Sequence, residues 1–167
     1  MKTKLEAELH ILAANRHHFT TVAIRSATCC GPAPRMRLDT IVNIFCKQAH
    51  FDRRITVHGG GQWRSNIHVR DVAELYGLLL KAPVDRIGGQ AFNATYANHT
   101  ALELAHMVGH IISAKITIDE TQQDQRHYRM SAAKAEKILG WWPMRSLEDA
   151  IQDNQWWFSN GHIEMVP

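Results

Sequence analysis

Five arginines stand beside turns in this chain of 167 residues. Arg25 closes a β-branched run, Arg35 and Arg37 follow Gly31, Pro32 and Pro34, Arg64 follows three glycines, and Arg126 precedes a stretch rich in Ala and Lys. A guanidinium stays charged and offers a planar fork of donors, so arginines gathered on loops suit phosphate. Singly, each has the character of a solvated surface charge; as a set they point to one anionic ligand. The glycines Gly59, Gly60 and Gly61 could also offer backbone N–H groups to a phosphate. Their spacing is neither GxGxxG nor GxxxxGK(S/T), and no helix follows at once, so they read as a tight turn.

Other chemistries find less support. The chain has 11 histidines, but His17 and His18 are adjacent, His50, His58 and His68 are isolated, and His106 and His110 share a helical face with no third ligand in view. Without HExxH or paired CxxC spacing, no metal site is expected. Cys29 could be read as a nucleophile, but no partnered histidine supports that, and a small packed thiol fits it better. Three cysteines, two of them adjacent, fit a reducing cytoplasm. The net charge of +3 is dispersed, with Arg53-Arg54 the only arginine doublet, which gives no nucleic-acid face. Hydrophobic residues make up 45% and charged residues 21%, so a folded single domain is expected, and no apolar run approaches the roughly 18 residues of a membrane span.

The elements that must position these groups alternate. Lys4 to Leu12 has helical spacing, with Leu5, Leu9 and Leu12 in phase and no N-cap residue ahead of them, as if the helix had already been entered. A strand is expected over Phe19 to Ile24, ended by the proline loop. A helix then carries Leu38, Ile41, Val42, Phe45 and Ala49 on one face, and Arg54 to His58 form a strand. "SNIHV" is a short extended piece turning into a helix capped near Asp71, with Val72, Leu75, Leu79 and Leu80 inward. "GGQAFNAT" gives a strand. Next comes a helix capped by Thr100, with Leu102, Ala105 and Met107 inward. "KITIDE" gives the following strand. A helix from Ser131 stops at Gly140, and Ser146 with Asp149 makes the capping box of a last helix ending near Gly161. Strands alternating with helices, without internal repeats, mean an α/β fold.

Five blocks in order carry a resemblance: "KTKLEAE", "AIRSATCCGPAPRMRLDTIVNIF", "GGGQWRSNIHVRDVAELYGLLL", "GGQAFNAT" and "DQRHYRMSAAKAEKILGWWPMRSLEDAI". Together they resemble the C-terminal half of the extended short-chain dehydrogenase/reductase family, which contains the NAD-dependent nucleotide-sugar epimerases and dehydratases. The most specific pieces are Arg64 to Ala73 and Leu139 to Ile151. The resemblance implies a partial Rossmann-like fold, with residues 1–167 as one C-terminal substrate-binding portion and the glycine-motif half absent. Lys4 matches the lysine of the family's Tyr-x-x-x-Lys motif, whose tyrosine falls one position ahead of Met1. That lysine binds the nicotinamide ribose, and its charge lowers the tyrosine pKa.

By the same resemblance Ala27, Thr28 and Cys29 line the nicotinamide, while Asn43, Arg64 and Arg126 touch the diphosphate of the sugar donor. NAD(P) is the implied cofactor of the complete enzyme, and its nicotinamide takes hydride from a sugar carbon while the tyrosine takes the hydroxyl proton. The sequence departs from common forms of the family in "CC" before Gly31-Pro32 and in Ser65-Asn66 of the "RSNIHV" block. Expected of this chain alone is binding without turnover, either as part of such an enzyme or as a non-catalytic nucleotide-sugar module. The implied partners are a second copy or a separate N-terminal half. Half of a doubly wound sheet leaves an edge and an apolar flank uncovered.

Overall fold

The computed structural model describes residues 2–121, 124 and 126–161. Its elements are α1 (Lys2–Ala13), β1 (Val22–Ser26), β2 (Thr28–Cys30), α2 (Ile41–Asp52), β3 (Arg54–His58), β4 (Trp63–His68) and α3 (Val69–Leu79). There follow α4 (Val84–Ile87), β5 (Gln90–Ala94), β6 (Ala97–Thr100), α5 (Ala101–Ile112), β7 (Lys115–Asp119), α6 (Ala133–Leu139) and α7 (Leu147–Ser159). The α/β reading holds, and the strands fall into three groups. β1 runs parallel to β5 and β3 parallel to β7, while β4 lies between parallel β2 and antiparallel β6.

Burial follows two clusters. Val42, Phe45, Cys46 and Ala49 of α2 meet Ile55 and Val57 of β3, Leu104, Ala105 and Val108 of α5, and Leu147, Ile151 and Phe158 of α7. The other cluster gathers Ala27, Ile67 of β4, Leu75 and Leu79 of α3, Phe92 of β5, Ala135 of α6 and Trp141. Polar ties cross between segments. Asp71, 1% exposed, accepts from the Arg145 backbone at 3.0 Å and from its guanidinium at 2.6 Å, while the same guanidinium reaches Glu74 at 2.7 Å. The two most family-like blocks are therefore bonded to each other. Two carboxylates on one guanidinium hold its pKa above its ordinary value.

Several local expectations need correction. The first strand begins at Val22, not Phe19, because Arg16 and Phe19 exchange backbone hydrogen bonds of 3.1 and 2.9 Å that close a turn. "TCC" continues as β2 instead of ending the extended run, since β4 is available to pair with it. His68, not Asp71, caps α3: its Nδ1 accepts from Arg70 N at 3.1 Å. Leu80 lies past the end of α3 and is 88% exposed, and Leu38 precedes α2 rather than lying on its face. The helix expected from Ser131 starts at Ala133, with the Ser131 hydroxyl accepting from Ala133 N at 3.3 Å. On α5 the fully buried residues include Leu104, Ala105 and Val108, whereas Leu102 and Met107 are half-buried. The Thr100 cap, the Ser146–Asp149 capping box and the stop at Gly140 are as expected, and Thr100 also closes a full box with Glu103.

Candidate functional site

A cavity of about 920 Å³ opens between α1, the β1–β2 junction, the loop before α2, β4 and the segment that precedes α6. Lys4, Ala27, Thr28, Cys29, Asn43, Arg64 and Arg126 all line it, as do Arg35 and Arg37 of the proline loop. Arg25 is not among the lining residues. It instead makes a two-point ion pair with Glu8 of α1, at 2.8 and 2.5 Å, and that hydrogen-bonded guanidinium holds the Glu8 carboxyl below its ordinary pKa. The triple glycine forms the β3–β4 turn. There Gly59 N donates to Asp119 O and Leu102 N to Gly60 O, each at 3.0 Å.

The proline loop is held from beneath. Gly31 has φ +98°, and a Cβ there would lie 3.0 Å from Nε2 of His68, so the position needs glycine on both counts. Asn43 accepts from Gly31 N at 3.2 Å and from Nδ2 of Asn154 at 3.0 Å, and its own Nδ2 donates to Arg37 O at 2.9 Å. Its amide is thus engaged in fixing the loop that carries Arg35 and Arg37. Within that loop Arg37 is paired with Asp39 at 2.7 Å. His68, fully buried, places Nε2 3.3 Å from Asp153 of α7. Since Nδ1 accepts from the backbone, the proton belongs on Nε2. Desolvation lowers the His68 pKa, opposed by Asp153.

On the opposite wall, Arg64 is 5% exposed. Its Nη1 donates to the carbonyls of Trp63, at 2.8 Å, and Arg126. Its Nη2 meets Asp124 at 2.7 Å, and the same carboxylate takes Arg126 at 2.5 Å. The hydrogen bonds from Arg126, followed by those from Arg64, hold the Asp124 carboxyl well below the usual carboxylate range. Tyr128 lies under the Arg64 guanidinium, 5.6 Å from ring centroid to carbon, and its hydroxyl is 3.1 Å from Oγ1 of Thr28. The segment is strapped to β6 by Asn98, whose amide donates to Met130 O and accepts from Met130 N, both at 2.9 Å.

The thiols divide by burial. Desolvation pushes the Cys46 pKa up to about 12 and raises that of Cys30 further, so neither serves as a nucleophile. Cys29 faces the cavity with its sulfur 3.3 Å from Oγ of Ser26. Among the described residues no group of three or more His, Cys, Asp or Glu is placed to hold a metal ion, and no helix is long and apolar enough to cross a membrane.

Sequence reasoning missed Gly31 and Tyr128 in the cavity lining, and Asp124 and His68, which contact the lining residues Arg64, Arg126 and Gly31 from outside it. Asp124 and Tyr128 sit in the "DQRHYRM" block, where a carboxylate two positions before an arginine was the available signal. Chemically, Lys4, Arg35, Arg37, Arg64 and Arg126 outnumber the carboxylates of Asp39 and Asp124, so the cavity favours a multivalent anion.

Residues 1–95 match the model of the NAD dependent epimerase/dehydratase family. A UDP-glucuronic acid decarboxylase 2 of Arabidopsis thaliana is 31% identical over 148 residues, covering 84% of this chain and 32% of that protein. Similar folds occur in MoeE5 in complex with UDP-glucuronic acid and NAD (TM-score 0.79, 23% identity, 95% of this chain and 54% of that one). They occur also in RMD from Pseudomonas aeruginosa complexed with NADPH (TM-score 0.79, 21% identity, 94% and 55%). The chain therefore spans about a third of the curated relative and about half of each solved structure.

Proposed function

Because the chain belongs to the NAD dependent epimerase/dehydratase family, we propose that its 167 residues are the C-terminal, substrate-binding portion of an enzyme that converts nucleotide sugars with NAD(P). The observation that supports this most is the convergence of Lys4, the Ala27 to Cys29 segment, Asn43, Arg64 and Arg126 on one cation-rich cavity. In this reading Arg64 and Arg126 face the diphosphate and Asn43 holds the loop beside it. Lys4 and the small residues at the β1–β2 junction face the cofactor. The three free cysteines suit a reducing cytoplasm.

The donor set fits the nicotinamide end of the cofactor: the exposed ammonium of Lys4 can donate to ribose hydroxyls, and Ala27 leaves room for a ring. The pyrophosphate end asks for a glycine-rich strand-to-helix turn, and GxGxxG spacing does not occur in these residues. When bound, the cofactor supplies hydride exchange at a sugar carbon. The chain's residues supply the rest: arginines fix the diphosphate, so that the sugar is presented towards Lys4, and the Lys4 charge favours an anionic base beside it. None of the three tyrosines, Tyr76, Tyr96 and Tyr128, precedes Lys4. The 167 residues by themselves therefore bind without turnover.

Titration calorimetry of the purified chain with UDP-glucuronic acid, the compound in the decarboxylase's name, tests the reading. Binding is expected, weakened about tenfold by Arg126→Gln as one charge-assisted contact is lost. Absence of heat with uridine and thymidine diphosphate sugars would overturn the binding role, and NAD-dependent conversion by the chain alone would overturn the absence of turnover. A second reading, a stand-alone binding module completed by a separate glycine-motif chain, rests on the same cation-rich cavity. It is separated from the first by co-purification of such a chain.

A further inference from the structure

Arg64 and Arg126 already share one carboxylate, that of Asp124. We infer that Asp124 is a built-in competitor for the anionic ligand of this cavity, holding both arginines until a phosphate takes its place. The inference deepens the anion-binding reading given above and rests on it. Arg64 spends Nη1 on two backbone carbonyls and turns Nη2 to Asp124 at 2.7 Å. Being 5% exposed, it offers an incoming anion little free guanidinium while that carboxylate stays. Arg126 gives Asp124 its Nε at 2.9 Å and its Nη2 at 2.5 Å.

The two arginines differ in access, and that difference sets an order of events. The Arg126 side chain is 79% exposed, so a phosphate can engage it first from solvent. Asp124, with a side chain 29% exposed, has a path into water once one of its two cations is shared. A diphosphate can then accept from Nη2 of Arg64 and from the Arg126 fork at once, and it carries more charge than the carboxylate it replaces. Exchange therefore leaves neither arginine unpaired, which would be costly for buried Arg64. Asp124 also places a counter-charge between two adjacent guanidinium groups. Asp124 thus sets a threshold: monovalent anions cannot displace it, whereas a nucleoside diphosphate can.

The test is titration of the full chain and its Asp124→Asn variant with UDP and with inorganic pyrophosphate. Loss of the competing carboxylate predicts about fivefold tighter binding of both, the scale of its ion pair with solvent-exposed Arg126. Glu120→Gln, which removes the same charge from the same segment without touching either arginine, is expected to gain less than twofold. If the wild-type chain binds UDP and Asp124→Asn binds equally or more weakly, Asp124 merely orients the arginines: the competitor role falls and the anion site stands. An equal gain in Glu120→Gln would likewise reduce the effect to net charge and overturn the role. If no form binds either probe, both readings fall. Asp124→Ser gives the same comparison should the asparagine variant fold poorly, as judged by circular dichroism.

Discussion

His68 shows how one side chain can serve the fold and the site together. Its Nδ1 caps α3, its Nε2 faces Asp153, and its ring forms the surface on which Gly31 turns. Burial depresses its pKa below the ordinary 6.5, although Asp153 and Asp71 oppose the shift and Arg70 adds to it. The unfolded chain therefore binds a proton at higher pH than the folded one. Stability is unaffected well above pH 6.5 and declines as pH falls through that value towards the depressed one. Urea denaturation between about pH 7.5 and 5 should show this loss, and His68→Asn, which keeps a capping acceptor but cannot titrate, should flatten it. An unchanged slope in the variant would assign the loss elsewhere. At this scale charge and position beside turns pointed to Arg35, Arg37, Arg64 and Arg126, which line the cavity, and also to Arg25, which does not, while Lys4 on α1 came only from the family resemblance. Asp124, Tyr128 and His68 were not legible, because their roles exist only once β4, α7 and the segment before α6 are brought together.

Elements whose ends carry their own hydrogen-bond partners were the most legible. Thr100 with Glu103 and Ser146 with Asp149 close reciprocal boxes, and Gly140 takes φ +64°, all local chemistry. β6 and α4 went unseen for the opposite reason. "ANHT" has no β-branched alternation and becomes a strand through pairing with β4, and Val84–Ile87 is a single turn. α1 was recognised from its leucines, yet it has no buried residue, and Leu5 and Leu9 are 56% and 59% exposed. Its firmest side-chain tie is the Glu8–Arg25 pair, and an exposed pair adds little. Hydrogen exchange should therefore find the α1 amides the fastest among helices of comparable length, well ahead of α2 and α5. Protection of α1 equal to that of α5 would show that something covers it.

For the whole molecule, one open apolar groove matters most: Val22 and Ile24 of β1 line it with Tyr76, Leu79, Leu80, Val84 and Ile87. Leu80, 88% exposed, contributes to this surface without supporting the core. Leu80→Lys should raise the concentration at which light scattering reports association and leave the unfolding free energy within about 0.5 kcal/mol of the parent. A fall in solubility would contradict this. The α/β class could be read from strand and helix alternation, whereas the division into two hydrophobic clusters could not, since it depends on which helices share a strand. That division bears on the cavity. Met36 and Ile41 on its rim pack against one cluster, and Ala27 and Cys29 against the other. An occupant touching both rims acts as a clasp: it adds its own binding free energy to the β2–β4 pairing that already joins the two clusters, so a tighter ligand makes a stronger seam.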